Sequence, residues 1–423
     1  TDTDDQTLSI SGDTLYISEG NNTVLSPYKD NTDTQDLSYN SSTKVLSLTD
    51  GGTVDLSGFS STSGASSLDG LTDVLVETNS FYIGNDPSST TSTAERNIAV
   101  GVSALDAITT GDNNVAVGYD ALTANSLGRN NTAFGTSALA SNTTANNNTA
   151  SGASALYSNT MGEANTASGA SALYSNTYGS NNTASGASAL ASNTTGEANT
   201  ASGAEALEAN TTGSYNTASG SEALEANTTG SHNTASGSEA LEANTTGSHN
   251  TASGSEALEA NTTGDYNTAS GAYALYFNTT ADNNTASGTN ALYYNTTGGN
   301  NTATGYKALH SNTTASFNTA VGYEALHDAN RTADVNAYNT AIGYRAGNTG
   351  TMDITTGSKN VLIGSSTRAS TFVATNQIVI GHGAFGRGDN EAVIGNTDIT
   401  SLYAGSDGAG VLYANGTIQS SDR

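Results

Sequence analysis

Apolar side chains are sparse along this chain, and they fall at fixed distances from one another. Between residues 97 and 327 a three-residue alternation of small or β-branched side chains precedes a glycine, and an Ala-Leu pair follows three and four residues after it. The alternation, as in Ile98-Ala99-Val100, Val115-Ala116-Val117, Thr200-Ala201-Ser202 and later Ile378-Val379-Ile380, has the period of a strand. A second short strand is expected on Ala-Leu. The glycine and an N-T-T-G segment between them supply corners, where φ can be positive and Asn can bond its own backbone.

The spacing is strict enough to define the architecture. From Gly101 to Gly322 thirteen consecutive glycine intervals are all 17 residues, and a leucine stands four residues after each glycine, from Leu105 to Leu326. The register then loosens through Gly343, Gly364, Gly381 and Gly395, which makes eighteen coils. A helix pair needs more than about 30 residues, so helical repeats are excluded; short strands and tight turns fit. The chain is therefore expected to be all-β, a parallel β-solenoid (β-roll) with each coil bonded to the coils before and after. At about 4.8 Å per coil its axis is roughly 80 Å long. Identical residues then stack as columns. Leu173, Leu190, Leu207, Leu224, Leu241 and Leu258 form the apolar core, with alanines such as Ala99, Ala201 and Ala218 beside them. Asn199, Asn216, Asn233 and Asn250 form an amide ladder. One Leu and a few Ala per coil make a thin core, which points to several chains packed around a common axis.

Composition enters as a contradiction. Leu, Ile, Val and Phe are only about 15 per cent of the 423 residues, and 11 Lys+Arg face 39 Asp+Glu for a net charge of −28. That balance describes disorder, and the repeat overrules it. The charge also removes the basic footprint that nucleic-acid binding requires. Without Cys there is no thiolate chemistry, Cys-ligated zinc or disulfide. No apolar run of 18 residues suggests membrane insertion, and the opening TDTDDQTLSI suggests a mature product or a piece of a longer protein.

Asn97-Ile98-Ala99-Val100-Gly101 and Asn114-Val115-Ala116-Val117-Gly118 resemble the N-S-V-A-I-G head repeats of trimeric autotransporter adhesins. That resemblance implies a left-handed roll and a homotrimer. Over almost the whole chain the N-T-A-x-G-x-x-A-L-x-x-N-T-T-G array is similar to tail-fibre and fibre-like proteins of phages and bacteria that end in an intramolecular chaperone. In such proteins the chaperone trimerises, guides fibre assembly and releases itself at a Ser–Asp bond. The matching positions here are Ser421 and Asp422, within Gly416 to Arg423. The resemblance implies an extracellular virion fibre with a host-surface glycan or protein receptor, and a particle or baseplate protein at the N-terminal end.

Five segments follow. Residues 1–60 hold two strand-turn-strand units offset by 29 residues (Gln6 to Ile17 and Gln35 to Leu48), read as β-hairpins at the attachment end. Residues 61–96 are linker and neck, 97–327 the regular solenoid, 328–395 its irregular coils, and 396–423 terminal strands leading to the chaperone.

Candidate chemistry lies in the columns. Glu205, Glu222, Glu239 and Glu256 run beside Glu208, Glu225, Glu242 and Glu259; stacked carboxylates raise one another's pKa or recruit Ca²⁺ or Na⁺, although a solvated acidic face is the plainer reading. On a straight strand Glu205 and Leu207 would share a face, so a corner must turn Glu205 outward. Tyr215, His232, His249 and Tyr266 share a column with Phe317. Tyr273, Tyr276, Phe277, Tyr293, Tyr294, Tyr306 and Tyr323 gather toward the C-terminal coils, together with Tyr344. Exposed tyrosines suit sugar rings, which makes this group the candidate receptor site; packing between chains is the alternative. Arg387-Gly388-Asp389 spells a cell-attachment tripeptide in a Gly-rich turn. No catalytic constellation can be assembled, and no resident cofactor is expected. The leading expectation is a non-enzymatic, receptor-binding trimeric tail fibre. The alternatives are a bacterial surface adhesin and, behind it, a polysaccharide-degrading tailspike, which would need paired catalytic carboxylates rather than uniform ladders.

Overall fold

The computed structural model describes residues 90–330, 336–350 and 353–399, with residues 74–77, 79–84 and 87 before them. It also describes the strand backbones Leu8–Ser11, Thr14–Ile17, Leu37–Asn40, Val45–Leu48 and Gly52–Asp55. Two compact units divide the chain, Thr1–Val74 and Leu75–Arg423. In the first, Leu8–Ser11 pairs antiparallel with Thr14–Ile17, as the alternation there predicts. Leu37–Asn40 pairs with Val45–Leu48, and Gly52–Asp55 adds a third antiparallel strand that the alternation did not reveal. The Ser421–Asp422 junction lies outside the described residues.

The second unit is an all-β parallel solenoid with no α-helix among the described residues. Eighteen three-residue strands, from Ile98–Val100 to Ala392–Ile394, stack into one parallel sheet. Like pairs with like: Thr200 with Thr217, Ala201 with Ala218, Ser202 with Ser219. Where the spacing loosens, the pairing does not. Thr319 still meets Thr340 and Val361 follows it, so the additional residues do not shift the sheet. Ser80–Ile83 already pairs in parallel with Ile98–Val100, which places the start of the sheet inside the segment assigned to the neck.

The expected second strand is absent, and this corrects the two-strand coil. The Ala-Leu segment is a left-handed turn, with φ of 60° at Glu205 and 55° at Leu207. The alternation of left-handed residues with Ala206 rolls Glu205 outward and Leu207 inward, which resolves their shared-face conflict. Each non-glycine residue in this region costs roughly 1–2 kcal/mol, and such geometry persists only when its surroundings over-determine it. Here the stacking does so: the Leu207 N–H donates to the Ala223 carbonyl of the next coil at 3.0 Å, and the Leu207 carbonyl accepts from Asn210 N–H at 3.1 Å. The glycine before the turn has a different cause. Gly203 has φ 145°, and a Cβ there would lie 2.2 Å from the Gly220 carbonyl oxygen of the next coil. Close approach of coil to coil therefore fixes the glycine column.

Ala201, Ala206 and Leu207 are fully buried, and so are Asn199 and Asn210. Two asparagines per coil thus complete an interior that the aliphatic residues alone leave thin. The residues flanking the central alanine of each strand, such as Thr217 and Ser219, stay outside that interior. The Asn216 carbonyl Oδ1 accepts the backbone N–H of Asn233 at 3.0 Å, and its amide donates to the Gly230 carbonyl at 2.8 Å. The second ladder bonds side chain to side chain: Asn227 Nδ2 donates to Asn210 Oδ1 at 2.8 Å and to its own turn's Gly230 carbonyl at 3.0 Å. Thr211 Oγ1 donates to the Thr228 carbonyl at 3.0 Å, extending the same coil-to-coil pattern.

Candidate functional site: an aromatic and acidic strip

Interior positions are spoken for by packing and amide ladders, so distinctive chemistry is confined to the outward residues of the turns. The residue after each core leucine makes one such column. It runs Tyr157, Tyr174, Ala191, then Glu208, Glu225, Glu242 and Glu259, then Tyr276, Tyr293, His310 and His327. Coil spacing sets the contacts. Tyr157 and Tyr174 stack at 5.2 Å, Tyr276 and Tyr293 at 5.2 Å, Tyr293 and His310 at 5.4 Å, and His310 and His327 at 4.8 Å.

Around Tyr293 the column widens into a surface. Phe277 and Tyr294 stack on each other at 5.6 Å in the neighbouring column, and each meets the Tyr293 ring edge-on, at interplanar angles of 83° and 86°. Tyr273 closes the other side, 5.9 Å from Tyr276 and 6.4 Å from Tyr293. Edge-to-face and offset pairs of this kind add stability beyond area burial, which keeps the rings in place. Tyr273, Tyr276 and Tyr293 are half-buried, whereas Phe277 and Tyr294 are exposed. Five of the seven predicted receptor residues thus form one contiguous surface. Tyr306 and Tyr323 do not join it; they stack with Tyr344 as a separate exposed column, at 5.2 and 5.3 Å.

His310 and His327 belong to the surface, and ring type alone hid them. Their offsets of 17 and 34 residues from Tyr293 were the available signal. Partial burial pushes the His310 imidazole down to about 4, aided by the cationic form of neighbouring His327, and its Nδ1 finds no hydrogen-bond partner. His327 Nδ1 instead lies 2.6 Å from Asp328 Oδ1, a contact that holds the Asp328 carboxyl below its ordinary value. The Tyr276 hydroxyl donates to Glu259 Oε1 at 3.1 Å; partial burial, then that hydrogen bond, push its phenol up to about 12.

The two glutamate columns are as the repeat predicts. In Glu205/Glu208/Glu225, Glu222/Glu225/Glu242 and Glu239/Glu256/Glu259, carboxylate oxygens lie within 4.8 Å of one another. Partial burial, then like-charge neighbours, raise Glu225 and Glu242 above the ordinary carboxylate value. Hard cations accept such oxygen sets, and so does water. The Tyr215, His232, His249 and Tyr266 column is real, with centroids 5.0, 4.9 and 4.8 Å apart. Phe317, in the same column, stacks on Tyr338 at 4.9 Å. Asp389 of the Arg-Gly-Asp tripeptide is engaged internally, accepting from Thr375 N–H at 2.8 Å and from Gln377 Nε2 at 3.2 Å. No protein-family model matches the chain, and no curated protein sequence matches it.

Proposed function

We propose that the protein is the shaft and receptor-binding part of a homotrimeric fibre, a phage tail fibre, that attaches a particle to glycans on a host cell. The Tyr276–Tyr293–Tyr294–Phe277 surface carries this reading. Rings held at right angles offer one wall for the flat face of a pyranose and another for its edge, with a carboxylate beside them to accept its hydroxyls. The glutamate columns act as a solvated acidic face with Ca²⁺ or Na⁺ as counterions, not as a catalytic pair. A bacterial surface adhesin would use the same shaft and differ in its anchor. A depolymerising tailspike is disfavoured because the acids form uniform ladders instead of an opposed pair.

Replacing Tyr293 and Tyr294 together by Ala is expected to reduce binding to host cells or arrayed glycans at least tenfold, with oligomeric state unchanged. Unchanged binding would overturn the assignment of this surface. Dissociation of the oligomer would show instead that the rings pack between chains. Hydrolysis of the bound glycan by the intact protein would favour the tailspike.

A further inference from the structure

We infer that the outer face of the solenoid sheet is the surface on which copies of this chain associate. The inference rests on the oligomeric fibre reading and assigns the face, which that reading leaves open. Each strand buries its central residue and turns its first and third outward, in the pattern exposed–buried–exposed at Thr217–Ser219 and its neighbours. Those outward positions change along the axis. In the central coils they are Thr and Ser; toward both ends they are large and apolar. Ile98 and Phe134 are 44% and 46% exposed at one end, and Ile342, Ile363 and Ile378 are 40%, 37% and 42% exposed at the other. Two apolar patches, separated by a hydroxyl-bearing stretch, therefore lie uncovered on a single face.

Three observations select a second copy as the occupant. The face carries no charged side chain among its described strand positions from Ile98 to Ile394, in a chain of net charge −28. Copies approaching through the turns would bring glutamate column against glutamate column, whereas this face brings no like charges together. The sheet repeats every coil over roughly 80 Å, and a partner matched to both end patches at once must share that spacing. Finally, the central stretch presents only the short side chains of Thr and Ser, so a second sheet can approach it closely.

The chain has no cysteine, which makes single thiols clean reporters. Ser219→Cys places one on the sheet face and Thr229→Cys places one on an exposed turn. In the full-length assembled protein, whose oligomeric state is read by light scattering, Ser219→Cys is expected to react with a maleimide at least tenfold more slowly than Thr229→Cys. Dilution to monomer, or mild denaturant, should equalise the rates. The pair Thr217→Asp and Ser219→Asp should abolish assembly while the circular dichroism of the solenoid persists; Thr229→Asp should not. An oligomer in which both thiols react equally fast overturns this face and leaves the fibre standing. A wild-type chain that is monomeric at tens of micromolar overturns both.

Discussion

Asparagine does here what leucine does in most interiors, and the reason is the number of bonds that one amide can make. Asn216 joins its own turn to the following coil through an acceptor and a donor, both fully buried. Asn216→Ala leaves the Asn233 N–H without its acceptor, at about 1–3 kcal/mol, and takes from the Gly230 carbonyl one of its two donors, the other being Asn227. The urea midpoint is therefore expected to fall markedly, whereas Thr217→Ala, on the exposed side of the same strand, should move it little. Titration is the other residue-scale test. Glu225 and Glu242 hold their protons above the ordinary value of 4.5, so the folded chain binds more protons than the unfolded one just above that pH. Their contribution to stability is present at low pH and is lost as pH rises from about 4.5 through their raised values. His310, held near 4, works in the opposite direction: its contribution is lost as pH falls from 6.5 toward 4. Thermal melts at pH 7, 5.5 and 4 should show Glu242→Gln raising the melting temperature at pH 7. His310→Gln should remove part of the loss on acidification. The column membership of these residues was legible in the spacing. The depressed His310 was not, because partial burial and a neighbouring imidazole are properties of the assembled stack.

At the scale of the coil, stability depends on nearest neighbours, as in other solenoids. Removing residues 217–233 deletes one whole 17-residue period and rejoins Asn216 to Thr234, so every column stays in register. That variant should fold with a cooperative melt close to the parent's, on a rod about 4.8 Å shorter. Deleting Thr229 alone should be far worse, because the amide and leucine ladders are then offset on either side of one boundary. A lower or biphasic melt for the 17-residue deletion would argue against nearest-neighbour control. The loosened C-terminal coils show how insertions are tolerated: the residues added between Thr319 and Thr340 leave the sheet pairing intact. They also show its limit. Asn312 has Ala329 as its successor, and its Oδ1 is left without a donor. Strand and glycine periodicity announced the coil correctly, but the Ala-Leu turn was hidden. Nothing in a local apolar pair distinguishes a strand from a left-handed corner whose conformation is imposed by the coil above.

Over the whole solenoid, the composition and the structure answer different questions. A Leu, Ile, Val and Phe content of about 15 per cent is too low for a globular core, yet adjacent coils of the described solenoid are joined by backbone and amide bonds. The spacing of thirteen equal intervals carried that information; the percentages did not. The face proposed for association could not be read from the repeat, because the outward positions of a strand are identified only once the central alanine is seen to point inward. The apolar ends of that sheet face then stand out against its hydroxyl-bearing middle. Orientation of the bonds has one more consequence. Because they point along the axis, tension between the ends of the solenoid loads every bond at a coil boundary together, whereas a peeled hairpin breaks its bonds in turn. A boundary should hold until it fails as a unit. Each failure then pays out one 17-residue period, about 55 Å of extended chain, as slack that absorbs a shock without severing the tether.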